Sequence, residues 1–399
     1  MTFQAGGVAT RVCPACHVNV PAGVFCGKCG AEMDRASPLR RILLRPRVFA
    51  AAPNEPIALP LITSSLFPHL GRRSRNPFRL GLLLLALGLL AGSVLQWPGP
   101  LVTIAGLGLP LLFGLYLWES GVLRDMPGHV LAIAMFSGIG LGVLWILLTG
   151  GIVARAYGIP LVAGFVLEQL IGVGLFISVG GALLMVLPVI IVRMLRPPVR
   201  ESLDGFVIGA LGALSFTGAA TITRLAPQFT AGMIDNVQPS RLFIEAALYG
   251  AAIPLTAAAA GGLIGVMLWF RPGRRAGGYP RRIRVALVVF TGTVVALYAM
   301  VWVVDSARLP KISQLALHLV LTVLALLALR FGMQMALLHE EPDPFTGQPV
   351  LCEHCERVVP DMPFCPACGA ATRAASRTAR RWRRELQPVH EVSGGAEGE

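Results

Sequence analysis

From Gly205 to Thr223 the chain carries no charge, directly after a collar holding Arg196, Arg200, Glu201 and Asp204. An uncharged apolar run opened by charges is the pattern of a membrane-crossing helix, which needs about 20 residues. The pattern recurs at 80–96, 99–118, 127–149, 170–195, 242–270, 283–304 and 313–334. Residues 158–169 add a short re-entrant or interfacial helix before the span at 170–195. Only 14% of the chain is charged, whereas a soluble surface calls for about 25%. The expected fold is an all-α polytopic membrane protein. It has about eight transmembrane helices within residues 80–340, and the lipid bilayer is its solvent and first partner.

The cysteines add a second constraint. Residues 1–34 hold Cys13, Cys16, Cys26 and Cys29 as two CxxC knuckles nine residues apart, and residues 341–372 repeat that spacing with Cys352, Cys355, Cys365 and Cys368. Two knuckles offer four thiolates to one tetrahedral Zn²⁺, so each end reads as a small four-cysteine zinc ribbon. Disulfides and free thiols are the alternatives, as is a cross-paired arrangement with one knuckle from each end in each site. Gly30 suits the positive φ that such turns demand. A segment this short has too little apolar content to fold alone, so the metal would supply most of its folding free energy. His17 and His354 sit beside knuckle cysteines, but four thiolates already fill each site.

Residues 35–79 form a basic juxtamembrane linker. Its apolar interlude, residues 57–70, is too short and too proline-rich to span. It is expected either to lie in the membrane interface, with Phe67 facing lipid and His69 near the headgroups, or to pack on the helical bundle. Arginine and lysine concentrate in alternate connections: Arg72, Arg73, Arg75 and Arg79, then Arg124, then Arg193, Arg196 and Arg200, then Arg271 to Arg284. By the positive-inside rule both termini are cytosolic in a multi-pass plasma-membrane protein, and there thiols stay reduced and available to metal. Residues 373–399 form a basic tail with arginines around Trp382. It reads as a solvated, disordered end, with contact to anionic lipid as the alternative. Nucleic acid ranks last, because no aromatic platform accompanies the charge.

Ionisable residues in and beside the spans are few, and those singled out are Glu168, Glu245 and His318, with Arg193, Asp204 and Asp305 at ends. Glu168 and Glu245 are weak catalytic candidates, and pairing with Arg155 or Arg241 is the plainer reading. Glycines cluster at Gly205, Gly209 and Gly212, at Gly261 and Gly265, and at Gly138, Gly140 and Gly142, where they allow close helix approach.

The segment Asp204-Gly205-Phe206-Val207-Ile208-Gly209-Ala210, continuing to Leu214-Ser215-Phe216, resembles the DG-x-x-YG…GxGF segment of the PrsW family of intramembrane proteases, within the CPBP/Abi superfamily. The resemblance covers about residues 158–270. In that family the segment runs into Glu-Asn; here Ala220-Thr221 stands at that place. The family's Glu-Glu-x-x-Lys motif falls on Glu168-Gln169-Leu170-Ile171-Gly172, keeping one glutamate. Its histidine-bearing helix resembles Arg241 through Ala252, Thr256 and Gly262, with alanine in place of histidine. The chain also resembles actinobacterial membrane proteins with terminal zinc ribbons. The resemblance implies the family's helical shape without the carboxylate and histidine that activate water. The expected function is a non-catalytic membrane scaffold or regulator whose ribbons recruit a cytosolic or membrane protein. A diverged intramembrane protease and a small-molecule permease are the alternatives.

Overall fold

The computed structural model describes residues 10–34, 48–71, 73–157, 167–198, 201–229, 238–273, 280–306, 309–341 and 344–385. The side chains at 151–175, 177, 178, 280 and 306 are excepted. The re-entrant segment expected at 158–169 lies largely outside these residues.

The expected spans are helices α2 (Arg75–Val94), α3 (Pro98–Glu119), α5 (Gly128–Tyr157), α6 (Leu167–Met194), α7 (Ser202–Leu225), α8 (Pro239–Ala247) with α9 (Ile253–Trp269), α10 (Pro280–Ser306) and α11 (Lys311–His339). Three short helices, α1 (Ile62–Leu66), α4 (Val122–Asp125) and α12 (Arg377–Glu385), flank them. Seven helices among the described residues are long and apolar enough to cross a membrane; the remaining expected span falls on α6, where Val179–Met194 is a shorter apolar helix. Their outer faces expose leucine, valine and phenylalanine, as at Leu83, Leu87, Leu111, Phe136, Leu183, Val289 and Leu319. That is the surface a lipid-solvated bundle presents.

Helix α7 is the axis. Its residues are buried from Ser202 to Thr217, and it packs on α9, α5, α3 and α6. A capping box opens it, Glu201 and Asp204 each accepting from the other's backbone N–H, so the charged collar closes the helix end. The α7–α9 contact is made backbone to backbone: a Cβ at Gly205, Gly209, Gly261 or Gly265 would collide with the carbonyl of the facing glycine. Gly138 and Gly142 of α5 meet α7 in the same way, at the Gly212 and Phe216 carbonyls, while Gly140 faces open space.

The span at 242–270, expected to be tilted or broken because of its length and Pro254, is broken. Between α8 and α9 lies a π-turn, Leu248–Ala252. Pro254 explains it: the ring has no N–H and clashes with the carbonyl four residues back, at Gly250, which widens the turn there.

The interlude at 57–70 packs on the bundle, and the interfacial alternative with Phe67 in lipid is corrected. Phe67 is 1% exposed, with its ring 5.1 Å from Phe78 and 5.1 Å from Tyr116. His69 is buried as well and stacks on Tyr116. What draws this segment down is Arg330 of α11, wholly buried. Its guanidinium donates to Ser64 Oγ (2.8 Å), to the Ile57 and Pro56 carbonyls, and toward Glu55, and lies over the Phe49 ring. One helical turn on, Gln334 accepts from the Ala50 amide and donates to the Val48 carbonyl. A charge buried at that depth needs such a sheath, and residues 48–65 supply it.

Each ribbon is a small antiparallel hairpin with a second knuckle. Strands β1 (Thr10–Val12) and β2 (Asn19–Pro21) pair with Arg11 opposite Val20; β3 (Pro349–Leu351) and β4 (Val358–Pro360) pair with Val350 opposite Val359. The ribbons dock on each other symmetrically. The Phe25 amide donates to the Pro366 carbonyl (3.0 Å) and the equivalent Phe364 amide to the Gly27 carbonyl (2.9 Å). Phe25 packs on Gly369 and Phe364 on Gly30, where φ is +73° and +70°. The C-terminal ribbon in turn joins the bundle through the Ala371 amide on the Ala50 carbonyl. Both ribbons therefore sit at one end of the bundle.

Candidate metal centres and the polar seam beneath them

The hairpin and second knuckle of each ribbon converge four sulfurs. All four lie within 4.8 Å of one another in the set Cys13, Cys16, Cys26, Cys29, and likewise in Cys352, Cys355, Cys365, Cys368. Pairs of Sγ atoms stand at 3.7 Å (Cys13–Cys29), 3.8 Å (Cys16–Cys26), 4.0 Å (Cys352–Cys368) and 3.8 Å (Cys355–Cys365). A tetrahedral ion binding sulfur at ~2.3 Å would hold its ligands about 3.8 Å apart. A disulfide needs ~2.05 Å, and all eight thiols are free. The sets form within each ribbon, so the cross-paired alternative is set aside.

Local chain geometry makes the sites. After the first knuckle, His17 and Glu356 take φ of 55° and 59°; after the second, Gly30 and Gly369 do the turning. The amides of His17 and Glu356 return to the Cys13 and Cys352 carbonyls, and those of Gly30 and Gly369 to Cys26 and Cys365. Packed this closely, the sulfurs cannot all ionise unaided. Sharing a proton with Cys29 lowers the Cys26 thiol to about 5, while hydrogen bonding to that sulfur and burial push Cys29 far up. Cys365 is likewise lowered to about 4 by its neighbours Cys352 and Cys368, and Cys368 is pushed far up. A divalent cation removes this conflict. Each set can hold one metal ion, and an all-thiolate tetrahedron is consistent with a zinc ribbon. His17 and His354 belong to neither set. His354 is buried without a hydrogen-bond partner at either ring nitrogen, and burial lowers it to about 4.

Beneath the C-terminal ribbon runs a polar seam that the sequence reading missed. The tail was expected to be solvated and disordered; residues 377–385 instead form α12, and four of its arginines, Arg377, Arg380, Arg383 and Arg384, are paired. Arg380 donates to Glu201 at 2.5 Å, Arg377 to Asp204 at 2.9 Å, and the Arg377 and Thr378 amides cap on Asp125. Arg373 pairs with Glu340, which also accepts from the Ser202 amide and hydroxyl. Arg383 and Arg384 reach the buried Asp361 of the ribbon. The collar that opens α7 is thus the socket for the tail. Residues 386–399 lie outside the described ones.

Of the weak catalytic candidates, Glu168 sits in the first turn of α6, with its side chain outside the described ones. Glu245 forms ion pairs with Arg241 (3.6 Å) and Lys311 (3.5 Å). His318 and Asp305, noted separately in the sequence, form a buried pair at 3.1 Å, with Gln314 donating to the same carboxylate oxygen. No carboxylate or histidine joins the thiolate sets, and no other group of three metal-binding side chains converges among the described residues.

Fold and site together define a helical protein of membrane-spanning character carrying two four-thiolate centres at one end. No family model, no curated protein and no solved structure matches the chain.

Proposed function

We propose that this chain is a non-catalytic membrane scaffold or regulator, PrsW-like in shape. Its two zinc ribbons form one cytosolic platform that recruits a protein partner. The observation that carries the reading is the reciprocal docking of the ribbons, fixed to the bundle by the seam. Metal used in this way is structural, since every ligand position is protein thiolate and none is open to water. The closed α7–α9 contact also favours a scaffold, because glycine backbones fill the space a substrate path would need. Two ends on one side require an even number of crossings, which supports α6 as the eighth span. The arginine pattern supports the plasma membrane with ribbons inside.

The test is affinity capture after crosslinking in cells, comparing the intact chain with Cys26→Ser and Cys365→Ser. A partner held by the intact chain and lost in both variants is the expected result; a partner retained by both would place recruitment elsewhere. Cleavage of membrane peptides by detergent-purified protein, abolished in Glu168→Gln, would replace the scaffold with the protease.

One observation favours the permease as a second reading. The π-break between α8 and α9 faces the buried Thr256–Thr322 pair, and transporters use broken helices at their sites. Uptake of a labelled solute into proteoliposomes would decide for it.

A further inference from the structure

At the end of the bundle away from the ribbons, a histidine and an aspartate are held against each other. His318 of α11 is 1% exposed, and its Nε2 stands 3.1 Å from Oδ1 of Asp305, near the end of α10. Gln314 donates to the same oxygen at 2.7 Å. The Asp305 side chain is 10% exposed. Helix α11 reaches the seam at its far end, where Glu340 meets Ser202 and Arg373, so its first turns lie opposite. At 1.5 Å per residue, His318 is about 10 Å along α11 from Lys311.

The ring's other nitrogen is an independent sign. Nδ1 of His318 is buried and has no hydrogen-bond partner. With a carboxylate accepting at Nε2, that nitrogen carries the hydrogen and Nδ1 keeps a bare lone pair. No lysine or arginine pairs with Asp305 among the described residues. The charged groups on neighbouring elements are engaged with one another. Glu245 of α8 holds Arg241 and Lys311, and Arg224 of α7 lies over the Tyr249 ring of the π-turn. Tyr249 and Tyr298 are the other titratable groups within electrostatic reach of Asp305. Glu168 of α6 belongs to the same end, with its side chain outside the described ones.

We infer that His318 and Asp305 form a proton-binding site inside the membrane-spanning bundle. A proton from water adds to the Nδ1 lone pair, and no bond within the protein breaks. The pair then passes from one negative charge to none, as imidazolium against carboxylate. Asp305 supplies the counter-charge that a buried cation requires. A metal ion is disfavoured, because no third metal-binding side chain converges on the pair among the described residues. Thr322, one turn further along α11, donates to the His318 carbonyl and to that of Ala252 in the π-turn, so the site adjoins the helix break. The inference goes beyond the scaffold reading and holds whether the chain is scaffold or permease.

The experiment uses full-length, metal-loaded, isotope-labelled protein in nanodiscs, followed by solid-state NMR from about pH 8 down to about pH 5. The sequence Leu317-His318-Leu319 occurs once, so the ring is assigned through its backbone. The expected result is passage of the His318 ring from the neutral Nε2–H form to imidazolium in a single-proton step. Asp305→Asn, checked for metal content and helical circular dichroism, should reduce the imidazolium-to-neutral ratio at a given pH about tenfold or more, the usual effect of losing an adjacent carboxylate. A histidine that only fills space and orients Asp305 would stay in one state throughout. A ring locked in either form across the range overturns the inference, as does a titration that Asp305→Asn leaves unmoved. The unsubstituted protein decides alone where Asp305→Asn fails to fold.

Discussion

The two ribbons share one local design and differ in what holds them. Knuckle spacing, hairpin register, turn conformations and sulfur geometry repeat from Cys13–Cys29 to Cys352–Cys368. The C-terminal ribbon is bound to the bundle by the Ala50–Ala371 hydrogen bond, by Arg73 on Glu356, and by Asp361 holding the arginines of α12. The contacts described for the N-terminal ribbon run to the C-terminal one, through Phe25, Gly27 and Gly30. Identical metal chemistry is thus placed in series, so loss at one end should propagate and loss at the other should not.

The largest effect tests that order directly. Binding free energy at a structural zinc site is on the order of 10–16 kcal/mol and serves as folding free energy. Cys365→Ser should unfold the C-terminal ribbon and release its partner, whereas Cys26→Ser should leave the C-terminal ribbon docked. Limited proteolysis with metal analysis reads this. The series arrangement fails if Cys26→Ser exposes residues 349–372 as readily as Cys365→Ser does.

Next comes the seam. Arg380 and Glu201 are both nearly enclosed, at 5% and 10% side-chain exposure and 2.5 Å apart. Removing one partner of such a pair strands the other, at a cost of about 3–5 kcal/mol. Arg380→Ala should therefore free α12, raising amide exchange in 377–385 and at the start of α7. The N-terminal ribbon's internal hairpin should keep its protection.

A smaller effect follows from pH, and it acts under the C-terminal ribbon alone. His69 in the folded protein stands at about 4, lowered by burial from an ordinary 6.5. The folded state refuses a proton that the unfolded chain accepts, so this contribution is full above about 6.5 and is lost as pH falls toward 4. The loss is about 3 kcal/mol at most. Thermal unfolding across that window should show a slope that His69→Phe flattens, since a ring of similar shape keeps the stack on Tyr116 without the titrating group. An unchanged slope would remove His69 from the account.

What the sequence disclosed and what it withheld divide along range. Cysteine spacing foretold both thiolate sets, and apolar runs foretold the helices, because each is written in neighbouring residues. The glycines at 205, 209, 261 and 265 pointed to close helix contact, though not to which helix. The seam was illegible: Arg380 and Glu201 are far apart in the chain, and an arginine-rich tail reads as solvated unless its socket is known. Arg330 did leave a signal. A lone arginine inside the apolar run of α11 announces a buried charge that must find partners, and the proline-interrupted interlude was the segment free to provide them. The resemblance at Asp204–Ala210 concerns the helix that proved central, but it says nothing of the tail that docks on its first turn.

The smallest effect sharpens the comparison most. Arg11 and Asp34 of the N-terminal ribbon stand 2.6 Å apart, almost the separation of Arg380 and Glu201, yet their side chains are 54% and 68% exposed. Distance alone would rank the two pairs as equals. Water decides otherwise: an exposed pair trades good hydration and side-chain freedom for a screened attraction, leaving about 0.2–1 kcal/mol. Asp34→Asn should then shift the melting of the N-terminal ribbon barely at all, and raised salt should erase the difference. A loss comparable to that of Arg380→Ala would mean that Asp34 is enclosed in the folded protein by something beyond the ribbon itself.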